Sequence, residues 1–282
     1  MTKTKATLTR IADSSRRDTV SLFDLLAQRE ARDRTHFFRI EGLRLFVKAM
    51  ECGAEIQSAI VSASHSDTPA AQRALRYLQD HRIPTTHVSD ECLARITQTE
   101  DPQGFAAIVR QRWESLADIT PSADLCWVAC ESVRSPGNLG TIIRTGDSVG
   151  AGGVILLGKS TDPYAPLTVR ASMGSIFAQR FIRSTFQNFA TWKQQAGAHL
   201  IGTSPQGAYD YREVLYQRPT VLFMGSERKG LWPIHQSLCD ELVRIPMAGS
   251  ADSLNLAVAA GIMLFEIFRQ NHPAPADLLR SG

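Results

Sequence analysis

Leu242-Val243-Arg244-Ile245-Pro246-Met247-Ala248-Gly249-Ser250-Ala251-Asp252-Ser253-Leu254-Asn255-Leu256-Ala257-Val258-Ala259-Ala260-Gly261 is the stretch that decides the fold. Leu242 to Ile245 reads as a short, near-continuous apolar strand that runs into Pro246. A loop of small residues follows. Ser253 stands where a helix N-cap belongs, and apolar residues at helical spacing continue to about Arg269. The loop leaves backbone N–H and C=O groups without strand or helix partners beside a helix N-terminus, a setting that can hold a small ligand. The helix is too apolar for a surface element, so burial is expected.

Working outward, the same alternation of strand and helix recurs upstream. Apolar strands are predicted over 125–130, 154–157, 180–182, 199–203 and 220–224. Helices are predicted between them over 139–149, 167–175, 189–196 and 233–239. Strands this apolar, each followed by a helix, imply a parallel sheet covered on both faces. Such sheets bind ligands beyond the carboxyl ends of their strands. Three loops fall there. One is Glu131-Ser132-Val133-Arg134-Ser135-Pro136-Gly137-Asn138-Leu139-Gly140, where Asn138 is a good N-cap and Arg144 would lie on the second turn of the new helix. A second is Met224-Gly225-Ser226-Glu227-Arg228-Lys229-Gly230-Leu231-Trp232, in which two glycines bracket charged residues directly after a buried strand. The third is the opening stretch.

In this order and spacing the loops resemble those of the SpoU/TrmH (SPOUT superfamily) RNA ribose 2′-O-methyltransferases. The motifs that carry the resemblance are Asn138-Leu139-Gly140 with Arg144, Gly225-Ser226-Glu227 with Gly230, and Ile245-Pro246-Met247 through Ser253-Leu254-Asn255. Arg170-Ala171-Ser172-Met173-Gly174-Ser175 is also similar to the family's sequence, and the likeness spans 125–270. In the front half, Phe38-Arg39-Ile40-Glu41-Gly42 and Gln103-Gly104-Phe105-Ala106-Ala107 resemble more loosely the small ribosomal-protein-like RNA-binding domain that many members carry.

The resemblance implies an α/β fold: a C-terminal trefoil-knotted parallel-sheet methyltransferase domain preceded by a small α/β/α RNA-binding domain. It implies a homodimer and S-adenosyl-L-methionine as methyl donor. Carried over by position, Thr203, Gly225, Ile245, Met247 and Leu254 would form the cofactor pocket. Asn138 and Arg144 would face the substrate ribose, and Glu227, Ser253 and Asn255 would close the site. Arg144 is expected to be essential, with its protonation state left open. A guanidinium is a poor base but stabilises a developing alkoxide and grips phosphate.

The expected layout is a loose N-terminus (1–20), an α/β/α RNA-binding domain (21–112), a linker (113–123) and the methyltransferase domain (124–272). The front domain is built from a helix over 22–32, strands over 37–40, 56–62, 85–88 and 105–111, and helices over 43–52, 70–79 and 90–96. The first 40 residues carry nine Lys/Arg against five Asp/Glu in a chain of net charge +3, so the basic excess lies at the front. Arg32, Arg34 and Arg39 are the expected contacts to RNA phosphate. No apolar run approaches the roughly 20 residues of a membrane span. Five cysteines, scattered through apolar runs, read as buried free thiols of a reducing compartment, and a cytoplasmic protein is expected.

Two other patterns carry no function. Gly153-Val154-Ile155-Leu156-Leu157-Gly158-Lys159-Ser160 formally fits a phosphate-binding loop, but its middle residues belong in a buried strand whose N–H groups are used in the sheet. Cys126 and Cys130 share a strand face without a further Cys or His at metal spacing, so no metal is expected. The resulting expectation is an S-adenosylmethionine-dependent RNA 2′-O-methyltransferase acting on large-subunit ribosomal RNA. A tRNA methyltransferase and an inactive RNA-binding assembly factor are the alternatives.

Overall fold

The computed structural model describes residues 18–62, 67–97, 103–120 and 124–272. The expected loose N-terminus lies, up to residue 17, outside the described residues. The chain divides into two compact units, residues 1–111 with Tyr164–Phe177, and residues 112–163 with 178–282. Among the described residues no helix is long and apolar enough to cross a membrane.

In the first unit, helix α1 (18–25) gives way to a turn before α2 (Arg29–Thr35), so the single helix expected over 22–32 is broken in two. There follow β1 (Phe37–Glu41), α3 (Leu43–Glu51), β2 (Ile56–Ser62), α4 (Pro69–Asp80), β3 (Thr85–Val88), α5 (Asp90–Thr97) and β4 (Phe105–Arg110). The sheet order is β1-β4-β2-β3; β4 runs antiparallel to both neighbours, and β2 and β3 are parallel. One core layer joins Phe23, Leu26, Ile60, Leu93, Ile96, Ala106 and Ile108. Another cover comes from far along the chain. Tyr164 and Phe177 place their rings 4.7 and 6.2 Å from that of Phe38. The short helix α7 (Pro166–Ala171) between them packs on β1. Tyr164–Phe177, expected inside the methyltransferase domain, therefore groups with the front unit, because its two rings and α7 pack on β1.

The second unit holds β5 (Cys126–Glu131), α6 (Pro136–Ser148), β6 (Gly153–Leu157), β7 (Arg180–Ser184), α8 (Phe186–Ala196), β8 (His199–Thr203), β9 (Tyr209–Asp210), β10 (Thr220–Met224), α9 (Pro233–Gln236), β11 (Glu241–Arg244) and α10 (Leu256–Asn271). Its sheet runs β7-β6-β5-β10-β8-β11-β9, with every pairing parallel. All of β5, β6 and β10 is buried, as covered parallel strands require. The phosphate-loop decoy at 153–157 is thus an interior strand. From β5 the chain builds outward through β6 to β7, then crosses to β8 and returns to insert β10 beside β5. The order reverses between β5 and β10, the place where open α/β sheets form ligand crevices.

Candidate active site

The loops that leave β5 and β10 emerge side by side because those strands are parallel neighbours in register from Thr220–Cys126 to Met224–Cys130. After β5, Ser135 caps α6: its hydroxyl accepts the Asn138 N–H, and Pro136 takes the first helical position. The N-cap is therefore Ser135, not Asn138. Pro136 has no N–H to satisfy, which favours the start three residues earlier. Asn138 becomes the third helical residue, and its side chain is left free for other bonds. Arg144 accordingly lies on the third turn rather than the second.

After β10 the chain makes a closed turn. Ser226 and Gly230 exchange backbone hydrogen bonds of 3.1 and 2.9 Å, and Gly230 has φ +59°. Gly225 must lack a side chain, since a Cβ there would run into the backbone of Gly230. This turn points Glu227 at the loop after β5. Glu227 Oε1 accepts the Ser135 N–H at 2.9 Å, and Oε2 accepts that of Arg134 at 3.1 Å. Asn138 Nδ2 donates to Oε1 at 3.2 Å. Partial burial pushes the Glu227 pKa upward, but the backbone donors of Ser135 and Arg134, with the Asn138 amide, outweigh it. The carboxyl group is held below its ordinary value.

The network reaches the third loop through Asn255, whose Nδ2 donates to Asn138 Oδ1 at 3.0 Å. Asn255 is also the N-cap of α10. Its Oδ1 accepts the N–H groups of Ala257 (2.9 Å) and Val258 (3.3 Å). Ser253, expected as the cap, lies two residues before it and lines the cavity instead. Both residue types cap well, so composition could not choose between them.

A cavity of about 320 Å³ opens beneath this network. Its wall includes Thr203, Gly225, Ile245, Met247, Leu254, Ser253 and Glu227, so the structure gathers all five expected cofactor residues in one place. Ser204, Gln206, Gln236 and Leu231 also line it. Nothing in the sequence marks them, since Thr203-Ser204-Pro205-Gln206 reads only as a turn after a strand. Among the described residues, no backbone–backbone hydrogen bond engages Pro246 to Leu254. A concave wall of apolar and polar side chains beside unpaired backbone donors and acceptors fits the purine, ribose and sulfonium-bearing amino-acid chain of S-adenosylmethionine.

Arg144 is not drawn into the network. It is exposed, six residues beyond Asn138, hence about 9 Å along the helix and about a third of a turn around it. No hydrogen bond or ion pair to its guanidinium occurs among the described residues.

The expected RNA contacts separate. Arg34 is exposed on α2. Arg32 is 3 % exposed and donates to the carbonyls of Leu26 and Ala27, 2.9 Å each, which ties the turn between α1 and α2. Arg39 is 5 % exposed, stacked 5.0 Å over Phe23 and paired with Glu41 at 3.1 Å. Burial lowers the Arg39 pKa and raises that of Glu41, in each case against their mutual attraction. Arg32 and Arg39 are interior struts, and their expected role on RNA phosphate is corrected. Helix α10 differs too. Ala260, Met263, Leu264 and Ile267 are buried, but Val258 and Phe265 are half exposed on one face. The cysteines are free; Cys126 and Cys130 are buried, which pushes each thiol up to about 12, while Cys52, Cys92 and Cys239 are half-buried.

Residues 126–265 match the SpoU rRNA Methylase family, and residues 18–107 match the MRM3-like substrate binding domain. The 23S rRNA (uridine(2479)-2′-O)-methyltransferase of Streptomyces viridochromogenes is 33 % identical over 252 residues, 87 % of this chain and 87 % of that protein. The 23S rRNA (guanosine(2553)-2′-O)-methyltransferase RlmP of Bacillus subtilis is 27 % identical over 90 % of this chain and 98 % of its own length. The crystal structure of an AdoMet-bound rRNA methyltransferase from Sinorhizobium meliloti superposes with a TM-score of 0.83 at 39 % identity, covering 90 % of this chain and 95 % of that one.

Proposed function

The chain belongs to the SpoU rRNA methylase family of S-adenosylmethionine-dependent RNA ribose 2′-O-methyltransferases, and we propose that it methylates one ribose of large-subunit (23S-type) ribosomal RNA. The observation that carries this is the Glu227–Asn138–Asn255 chain of hydrogen bonds at the edge of the cavity. It joins the three loops whose sequence signals the family.

Bound in the cavity, S-adenosylmethionine supplies a methyl group already activated on a sulfonium. Thr203, Ile245, Met247 and Leu254, with the free backbone between Pro246 and Leu254, are the residues that would hold it. Asn138, fixed by Glu227 and Asn255, orients the ribose. The Glu227 carboxylate has its oxygens occupied and its pKa depressed, so it positions the site rather than taking the hydroxyl proton. Arg144, which is exposed, offers a cation to the alkoxide that develops as the 2′-hydroxyl gives its proton to solvent water, or to the adjoining phosphate. Ser253 adds a hydroxyl at the rim. Alignment of two reactants in a dry site can itself contribute about 7–11 kcal/mol.

The finer readings rest on the same frame. The methyltransferase domain covers 124–272, and the RNA-binding domain covers 21–112 with the added segment Tyr164–Phe177. The linker is 113–123. The return of α10 onto α6 after the chain has crossed the sheet supports a trefoil-knotted C-terminal domain. The half-exposed apolar face of α10 supports a homodimer, and the protein is cytoplasmic. On the front domain, Arg34 is retained as a phosphate contact. The test is transfer of labelled methyl from S-adenosylmethionine to ribosomal RNA from a strain lacking the protein, followed by ribose-methylation mapping. One new 2′-O-methyl site in the large-subunit RNA is expected. A site in tRNA alone, or none, would overturn the assignment.

A further inference from the structure

Trp232 is 53 % exposed although it directly follows Leu231, which is 3 % exposed and lines the cavity. The backbone that carries the indole is pinned. The turn before it is closed by the Ser226–Gly230 pair and by the Lys229 N–H on Ser226 Oγ, and Gln236 Nε2 clamps the Leu231 carbonyl at 2.8 Å. Lys229 Nζ lies 4.9 Å from the centroid of the ring. Arg228 and Lys229 are both exposed, and neither has an ionic partner among the described residues. Glu227, the adjacent acid, has its carboxylate committed to Arg134, Ser135 and Asn138. The turn that positions the ribose-orienting network thus also presents an exposed indole with Lys229 against it and Arg228 next to that lysine in the chain.

We propose that Trp232, with Lys229 and Arg228, is the platform for a nucleotide flanking the methylated ribose: its base stacks on the indole and its phosphate meets the two cations. The inference rests on the RNA methyltransferase reading and adds to it a residue that positions the substrate. Unpaired bases are recognised by stacking on aromatic side chains, and any base serves because each has a π-face. A nucleotide is the favoured occupant because the adjoining network serves an RNA substrate, and a protein contact is an outcome of the test below.

The test uses the full-length protein and deproteinised large-subunit ribosomal RNA from a strain lacking it. Trp232→Ala is expected to raise the RNA Kd by roughly 5- to 150-fold, the range of one lost base stack, with S-adenosylmethionine affinity unchanged. Trp232→Phe should recover most of the loss. Lys229→Ala should weaken binding and reduce the salt slope by about one. RNA should quench tryptophan fluorescence in the wild type, and the quench should vanish in Trp232→Phe. An unchanged RNA Kd in Trp232→Ala, or a quench that survives in Trp232→Phe, overturns the platform. So does a change in sedimentation of Trp232→Ala without RNA, which would assign the ring to a protein contact. Binding and quenching are read without turnover, so an inactive wild type would refute the methyltransferase reading and leave the platform to its own data.

Discussion

Asn255 Nδ2 donates to Asn138 Oδ1 at 3.0 Å, and the orientation of both amides is dictated by groups that cannot be reversed. The Asn255 oxygen is claimed by two backbone N–H groups at the start of α10, so its nitrogen must face Asn138. Asn138 must then present oxygen to Asn255 and nitrogen to the Glu227 carboxylate. Asn255→Asp separates the two jobs of this residue. An aspartate still caps the helix, and its charge suits a helix N-terminus. It cannot donate to Asn138, which would be turned around to place its oxygen against Glu227. We expect Asn255→Asp to keep the wild-type Tm and lose at least about tenfold in kcat, an effect of one misplaced polar contact. Asn255→Ala should lose both, with a stability cost of about 0.5–2 kcal/mol for the missing cap. Thermal melts and methyl-transfer assays on the two variants check this.

Glu227 has a depressed pKa in the folded protein, and the sign of its pH dependence follows. Its contribution to stability is fully present above the unfolded-state value of about 4.3 and is lost as pH falls through the lower folded value. Denaturation of the wild type and Glu227→Gln should therefore differ by a constant amount from neutral pH down to about pH 5 and converge below it. Methyl transfer by Glu227→Gln should be reduced across pH 6–9 without a change in the shape of the profile. A lost acidic limb would instead make Glu227 the proton acceptor.

The three loops were legible because glycine and proline punctuate them directly after apolar strands, and the parallel sheet was legible because its strands are apolar on both faces. The helix caps lie two and three residues from the positions that pattern alone suggests, at Asn255 rather than Ser253 and at Ser135 rather than Asn138, because each pair holds two competent capping types. Arg32 and Arg39 could not be read. A charge in a basic cluster looks solvated until Phe23, Glu41 and two backbone carbonyls are seen around it. The two-residue strand β9 is too short for any periodicity, and the grouping of Tyr164–Phe177 with β1 depends on contacts more than a hundred residues apart.

Burial of Arg39 converts an expected binding defect into a folding defect. Arg39→Ala leaves Glu41 buried with only the exposed Arg170, 3.2 Å away, to offset it. Removing one partner of a buried pair costs up to about 3–5 kcal/mol, and the second arginine should keep the loss at the lower end. Arg34→Glu, on the exposed face of α2, should leave the Tm unchanged and weaken RNA binding in a salt-dependent way. The comparison is a denaturant titration of both variants beside RNA binding at two salt concentrations. A stable Arg39→Ala with weakened RNA affinity would restore the discarded assignment.

Gly225 tests the geometry of the cavity. Any Cβ there meets the Gly230 backbone, so Gly225→Ala must open the Ser226–Gly230 turn and displace both the cavity wall and Glu227. Calorimetry should detect no S-adenosylmethionine binding by Gly225→Ala under conditions where the wild type binds. The buried strand β10 before it is untouched, so the variant should still melt cooperatively. Retained binding would mean that the turn can relax and that the wall of the site lies elsewhere.

Helix α10 supplies the test of assembly. Its inner face is sealed by Ala260, Met263, Leu264 and Ile267, yet Val258 and Phe265 stand 52 % and 54 % exposed, seven residues apart and thus on one face. Neither position is required by the packing of a single chain, and the proposed homodimer would cover both. A charge at either site leaves the monomer core intact and opposes burial against a second copy. Val258→Glu and Phe265→Glu should each shift sedimentation from dimer to monomer at micromolar concentration, with a cooperative melt retained. If both variants sediment as the wild type does, this face is not where two copies meet.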